Sequence, residues 1–153
     1  MREPLTVLAP FAGQMRALAA TPDPAFAQGL LGPGLCIDPD RTTQTVLAPV
    51  AGVVTALRPH AFVVRAIDSR DVLVHLGVDT VNLAGAGFRV LVAEGEQVAA
   101  GAPVLKWDPA GVAGAGLSPL APLVALQAPP AQLSVLVAEG ERVTAGQPVL
   151  EWA

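Results

Sequence analysis

Apolar residues recur along the whole chain in stretches of strand length, either alternating with polar residues or running together. The stretches are LTVLAP from Leu5, GLCID from Gly34, QTVLAPVAGVVTAL from Gln44, AFVVRAI from Ala61 and DVLVHLGV from Asp71. They continue with RVLVAEG from Arg89, PVLKWD from Pro103, PLVALQ from Pro122, LSVLVAEG from Leu133 and PVLEW from Pro148. Turn residues separate nearly all of them, the pattern of short β-strands. No segment keeps a 3.6-residue period with caps at both ends. The best helical candidate is DPAFAQGLL, Asp23 to Leu31, which Gly29 weakens. The pattern predicts an all-β chain with one or two short helical turns.

Two internal echoes sharpen that expectation. VLAPFAG at Val7 to Gly13 returns as VLAPVAG at Val46 to Gly52, and LVAEGEQVAAGAPVLKW at Leu91 to Trp107 returns as LVAEGERVTAGQPVLEW at Leu136 to Trp152. Each later copy reads as strand, tight turn, then a Pro-initiated strand ending in Trp. Two such units packed face to face bury their apolar sides and make an antiparallel β sandwich or partly closed barrel. The repeats are expected to build scaffold and not chemistry.

Length and composition bound the function. A chain of 153 residues, 52% apolar and 14% charged, with 15 Gly and 15 Pro, is expected to form one loop-rich domain over residues 1–153 and is no disordered tail. Eight Arg and one Lys in a chain of formal charge -4 provide no basic stripe, so nucleic acid is not expected as a partner. Pro109 to Ala138 carries no charge, yet Pro119, Pro122, Pro129 and Pro130 interrupt it, which excludes a membrane-spanning helix there. The opening MREPLTVLAPFAG is a poor secretory signal, and a cytoplasmic protein is expected. The lone Cys36 sits in apolar GLCID and reads as a small core residue.

Candidate chemistry passes through two histidines, His60 and His75, the only ones present. A hairpin turning about Ile67 and Asp68 sets them directly opposite each other, with Cβ atoms roughly 4.5–5.5 Å apart; a later turn centre within Asp68 to Asp71 changes that register. Such a pair could bind a metal, act as acid and base, or offer one nitrogen as nucleophile while the other steadies the transferred group. Zinc wants three or four ligands, and only carboxylates such as Asp79 could supplement the pair. No G-x-S-x-G elbow, P-loop or G-x-G-x-x-G occurs. A histidine that accepts a transferred group is the simplest chemistry left.

The residues also carry a resemblance that runs nearly end to end. APFAG near the start, TPDPAFAQGLLGPGLCIDP, VLAPVAGVV, PHAFVV, VLVHLGVDTVNLAGAGF and AEGEQVAAGAPVLKWD together resemble the glucose-family enzyme IIA (EIIA) of the bacterial phosphoenolpyruvate:sugar phosphotransferase system. The segment H-x-G-x-D-T-V is its most specific part. The resemblance implies an antiparallel sandwich of duplicated hybrid motif. It further implies that His75 receives a phosphoryl group from the carrier HPr and passes it to the EIIB domain of a membrane sugar permease, with His60 as companion.

Gly77, Asp79 and Thr80 take supporting places in the same segment, and a backbone carbonyl near Gly77 is expected to fix the His75 tautomer. Asp23, Phe26, Leu30 and Leu31 match the family's partner-docking patch. No cofactor is required, and zinc at His60 and His75 is not expected. Regulatory target proteins that tell the two phosphorylation states apart are also implied, as is association with the membrane through the permease, since the chain opens on its first strand without the amphipathic tail of some members.

The sequence departs from the family before His60. Arg58 and Pro59 stand where small polar residues are usual, and Arg58 is expected to assist the phosphate. Two alternatives remain in view: a lipoyl- or biotinyl-type carrier, for which the only lysine is Lys106 inside an apolar strand, and a zinc-binding hybrid-motif protein, which lacks a third histidine.

Overall fold

The computed structural model describes residues 2–153. Among them the strands follow in chain order as β1 (Leu5–Leu8), β2 (Gly13–Ala17), β3 (Gly34–Pro39), β4 (Gln44–Leu47), β5 (Gly52–Arg58), β6 (Ala61–Arg65) and β7 (Asp71–His75). Then come β8 (Phe88–Val90), β9 (Gln97–Val98), β10 (Pro103–Trp107), β11 (Ala121–Ala125), β12 (Leu133–Val135), β13 (Arg142–Val143) and β14 (Pro148–Trp152). Two short helices, α1 (Pro24–Ala27) and α2 (Pro109–Gly114), complete the regular elements with three single 3₁₀ turns.

The expected duplication is visible in the pairing. One sheet runs β1-β14-β12 and another β4-β10-β8, and their registers match residue for residue. Val7 faces Leu150 as Val46 faces Leu105, and Trp152 lies opposite Leu133 as Trp107 lies opposite Phe88. Backbone bonds from Leu8 to Pro49 and from Leu47 to Pro10 join the two copies at their centre. The third sheet, β13-β2-β3-β11-β7-β6-β5-β9, is antiparallel throughout. The inner faces pack around Phe11, Phe62, Trp107, Leu123 and Leu150, all essentially inaccessible. Cys36 is buried on the opposite face of β3 from Leu35 and Ile37, its Sγ donating to the Ala17 carbonyl at 3.4 Å, and burial raises its thiol pKa.

Local chemistry sets the helix limits. Pro24 opens α1, and the Asp23 carboxylate accepts from the Ala25 N–H at 2.9 Å, an N-cap with proline at the first helical position. The helix is shorter than the Asp23 to Leu31 stretch suggested, because Gly29 adopts φ +69° and ends it. In α2 the Asp108 carboxylate caps the Gly111 N–H at 3.0 Å. Lys106 sits mid-strand on β10 between Thr45 and Arg89, so it is on no hairpin tip where a lipoyl or biotinyl group could be presented.

The β6–β7 hairpin corrects the expected register. Its loop is three residues, Ile67 to Ser69, closed by bonds from Ala66 to Arg70 and from Ser69 to Ala66, with Ser69 at φ +71°. That odd loop length, a turn followed by one left-handed residue, moves the pairing by one. His75 therefore lies opposite Ala61, not His60. His60 instead falls with Pro59 in the two-residue turn between β5 and β6, which pairs Arg58 with Ala61. On the other side of β7, pairing with β11 stops at Leu123 and Val74; the next residue, Pro122, has no N–H to continue it. The sheet thus opens at His75.

At the far end of the same hairpin Arg70 is buried, at 6% exposure. Its guanidinium pairs with Asp68, donates to the carbonyls of Trp152 at 2.6 Å and Glu3 at 2.7 Å, and lies over the Trp152 ring. One side chain so ties the hairpin to the segment before β1 and to the end of β14. Arg70→Ala strands two carbonyls and is expected to cost about 2–4 kcal/mol, read as a lower urea midpoint with an unchanged slope. Arg65→Ala, which removes only an exposed pair with Asp71, should leave the midpoint nearly unmoved.

Candidate functional site

His75 is the last residue of β7, and the chain turns immediately after it. Its Nδ1 lies 2.7 Å from the Gly77 carbonyl oxygen. A carbonyl can only accept, so Nδ1 carries the proton and Nε2 keeps its lone pair. Gly77 can bend back this way because it adopts φ +81°. A Cβ there would meet Thr80 Cγ2 at 2.6 Å and the Ser118 carbonyl oxygen at 2.9 Å, so the position admits glycine alone.

The turn is braced on both sides. The buried Thr80 hydroxyl donates to the Leu76 carbonyl at 2.8 Å, and the Val78 N–H donates to Ser118 at 2.9 Å. Asp79, in the left-handed region at φ 60°, precedes the 3₁₀ turn Thr80–Leu83 and is exposed. Ser118 escaped the sequence reading, since nothing near it in the chain hints that its carbonyl meets this turn.

His60 still reaches His75, although from a turn and not from a strand. Its carbonyl accepts from the Leu76 N–H at 2.8 Å, which holds the β5–β6 turn against the end of β7. The rings meet edge to face with centroids 5.3 Å apart and planes at 75°. From another side the Phe26 ring packs on His75 with centroids 5.1 Å apart. Phe26, expected in a docking patch, is only 6% exposed and therefore serves as a wall of the site. Leu30, 70% exposed, and Leu31 present apolar surface to solvent, as does Val81 in the 3₁₀ turn after Asp79. Asp23 caps α1 and acts electrostatically on His75.

The surroundings keep both imidazoles neutral. Burial holds the His75 pKa below the ordinary 6.5, against the upward pull of the Gly77 hydrogen bond and of the Asp23 and Asp79 charges. Burial also depresses His60, aided by the neighbouring His75 and by Arg58. Arg58 stands at the end of β5, its Nη1 donating to the Leu57 carbonyl and lying 3.6 Å from Glu94. For a metal the site offers the two imidazoles, and no group of three His, Cys, Asp or Glu gathers among the described residues. What the arrangement provides chemically is one oriented, unprotonated ring nitrogen beside a second imidazole that can donate.

The chain is similar to known proteins in sequence and in fold. Residues 5–131 match the family described as phosphoenolpyruvate-dependent sugar phosphotransferase system, EIIA 1. The glucose-specific EIIA component of Oceanobacillus iheyensis is 36% identical over 127 residues, covering 80% of this chain and 76% of that protein. The glucose-specific EIIBCA component of Corynebacterium glutamicum is 38% identical over 124 residues, again 80% of this chain but only 18% of that much longer protein. Among solved structures, glucose permease IIA from Mycoplasma capricolum superposes with a TM-score of 0.86 at 29% identity, covering 98% of this chain and 96% of that one.

Two measurements check the site. In ¹⁵N NMR, His75 should show the Nδ1–H tautomer and titrate below 6.5. Because its folded pKa is depressed, the unfolded chain takes up the proton first. The His75 contribution to stability is therefore lost as pH falls from about 6.5 through the folded value. Gly77→Ala is expected to lower stability by about 2 kcal/mol or more through left-handed strain and the two overlaps, and to abolish the single-tautomer spectrum.

Proposed function

The chain belongs to the EIIA 1 family of the phosphoenolpyruvate-dependent sugar phosphotransferase system, and from that membership we propose that it carries a phosphoryl group on His75 Nε2 during sugar uptake. The observation that supports this most is the Nδ1–H bond to Gly77, which leaves Nε2 unprotonated on a ring that has the His60 imidazole as a neighbour.

The step balances without an added reactant. The Nε2 lone pair forms a bond to phosphorus as the donor's own N–P bond breaks, and that electron pair returns to the donor imidazole. Nδ1 keeps its proton throughout. Because phosphoryl transfer is loose and in line, the protein's contribution is position and charge. His60 donates to the arriving phosphoryl oxygens, and their negative charge raises its pKa at the moment a proton is useful there. The relay as proposed uses no metal or cofactor. Phe26 covers one side of the ring and keeps water from the phosphohistidine.

The donor fits as HPr in its phosphohistidine form. Asp23 and Asp79, whose charges both act on His75, and the exposed Leu30 and Leu31 offer acidic and apolar groups suited to a partner with a basic rim. The acceptor fits as the EIIB domain of a sugar permease, since relatives such as the Corynebacterium protein are named EIIBCA components. No helix among the described residues is long and apolar enough to cross a membrane. In this reading the protein works on the cytoplasmic side and meets the membrane through the permease. Phosphorylation adds roughly -1.5 to -2 charges at His75, enough for regulatory targets to distinguish the two forms.

The test is intact-mass analysis after incubation with phosphoenolpyruvate, enzyme I and HPr. Wild type should gain one acid-labile phosphoryl group, His75→Gln none, and His60→Gln one group that is poorly passed on. An unmodified wild type with active donors would overturn the reading.

A further inference from the structure

The register that removed His60 from the strand pair creates a row the sequence does not announce. Arg58 on β5 lies directly opposite Ala61 on β6, and Ala61 lies directly opposite His75 on β7. Directly opposed residues share a face of the sheet. The neighbouring row, Leu57, Phe62 and Val74, faces the core, with Phe62 and Val74 each at 1% exposure. Arg58 and His75 therefore project from the other face, two strands and about 10 Å apart at Cα. The residue between them in the row is Ala61, whose side chain is a single methyl. An extended arginine from one side and a phosphorylated imidazole from the other close that gap.

The resting partners of Arg58 leave its charge available. The guanidinium is on a side chain 69% exposed; it donates to the neighbouring Leu57 carbonyl at 2.9 Å and forms a loose ion pair with Glu94 at 3.6 Å, longer than a hydrogen bond. The same Glu94 Oε1 already accepts from the Leu57 N–H at 2.9 Å, so backbone, not arginine, fixes the carboxylate. Resting on the assignment of phosphohistidine to His75, we propose that Arg58 contacts the phosphoryl oxygens during transfer and that Glu94 holds the guanidinium between transfers. A planar guanidinium suits this exchange, because it can take two phosphoryl oxygens at once and carries its charge at every working pH. Arg58 then supplies contact and charge where a small polar residue would supply only a hydroxyl.

The experiment uses the full chain as wild type, Arg58→Ala, Arg58→Lys and Glu94→Gln, with two donors: phospho-HPr, and phosphoramidate, which has no docking surface. Arg58→Ala should be phosphorylated about tenfold more slowly by both donors, the size of effect a lost charge-assisted contact gives. Arg58→Lys should recover part of the rate, and Glu94→Gln should match or exceed wild type. In ³¹P NMR the phosphoryl titration should move to higher pH in Arg58→Ala, since a nearby cation has been removed; a purely structural residue would not shift it. Slowing with phospho-HPr alone would make Arg58 a docking residue and overturn the proposal, as would rates within twofold of wild type and an unmoved ³¹P titration. A wild type that neither donor phosphorylates on His75 would instead remove the relay assignment beneath it.

Discussion

The hydrogen bond between His75 Nδ1 and the Gly77 carbonyl, 2.7 Å long, decides which ring nitrogen can react, and much of the local structure exists to hold it. The carbonyl reaches back only because Gly77 is left-handed. That turn is pinned by Thr80 on Leu76 and by Ser118 on Val78. Ser118 lies in the loop that leads to β11, a central strand of the large sheet. A bond between residues two apart in sequence therefore relies on a contact some forty residues away. Burial adds to it by keeping the ring neutral, so orientation and protonation state favour the same nitrogen.

The scaffold makes this precision affordable in so small a chain. Two copies of one strand-turn-strand unit pair with matching registers and meet through reciprocal backbone bonds. The strands β6 and β7 belong to a larger sheet, flanked by β5 on one side and β11 on the other, and not to a free hairpin. At one end of that hairpin Arg70 locks the loop to both chain ends. At the other, Pro122 ends the ladder beside His75 and leaves the ring at an opening in the sheet. Rigidity and access are thus placed at opposite ends of the same two strands.

Legibility varied with the range of the forces involved. The strands and the duplication were readable because period-2 patterns and repeated strings report local geometry directly. The short α1 was readable from Asp23 and Pro24, and its end from Gly29. His75 and Gly77 were readable because tautomer control acts over two residues. The pairing of His60 was misplaced by one residue, since Asp68, Ser69, Arg70 and Asp71 permit several loops and a single residue changes every cross-strand partner. The contact of Phe26 with His75 was not readable, because an apolar residue in a single helical turn carries no mark of which neighbour it meets.

The sequence by itself determined the class of fold, the doubled architecture and the two imidazoles on which chemistry can act. These follow from periodicity, repetition and residue type, all properties of the chain read in order. Only the tertiary structure decided that Ala61 and not His60 opposes His75, that Arg58 shares their row, and that Ser118 braces the turn. Each of those contacts joins segments whose separation is set by loop length and sheet order. Loop conformation depends on left-handed residues such as Ser69 that carry no obligatory signature, so the register they impose becomes definite only when the strands have paired.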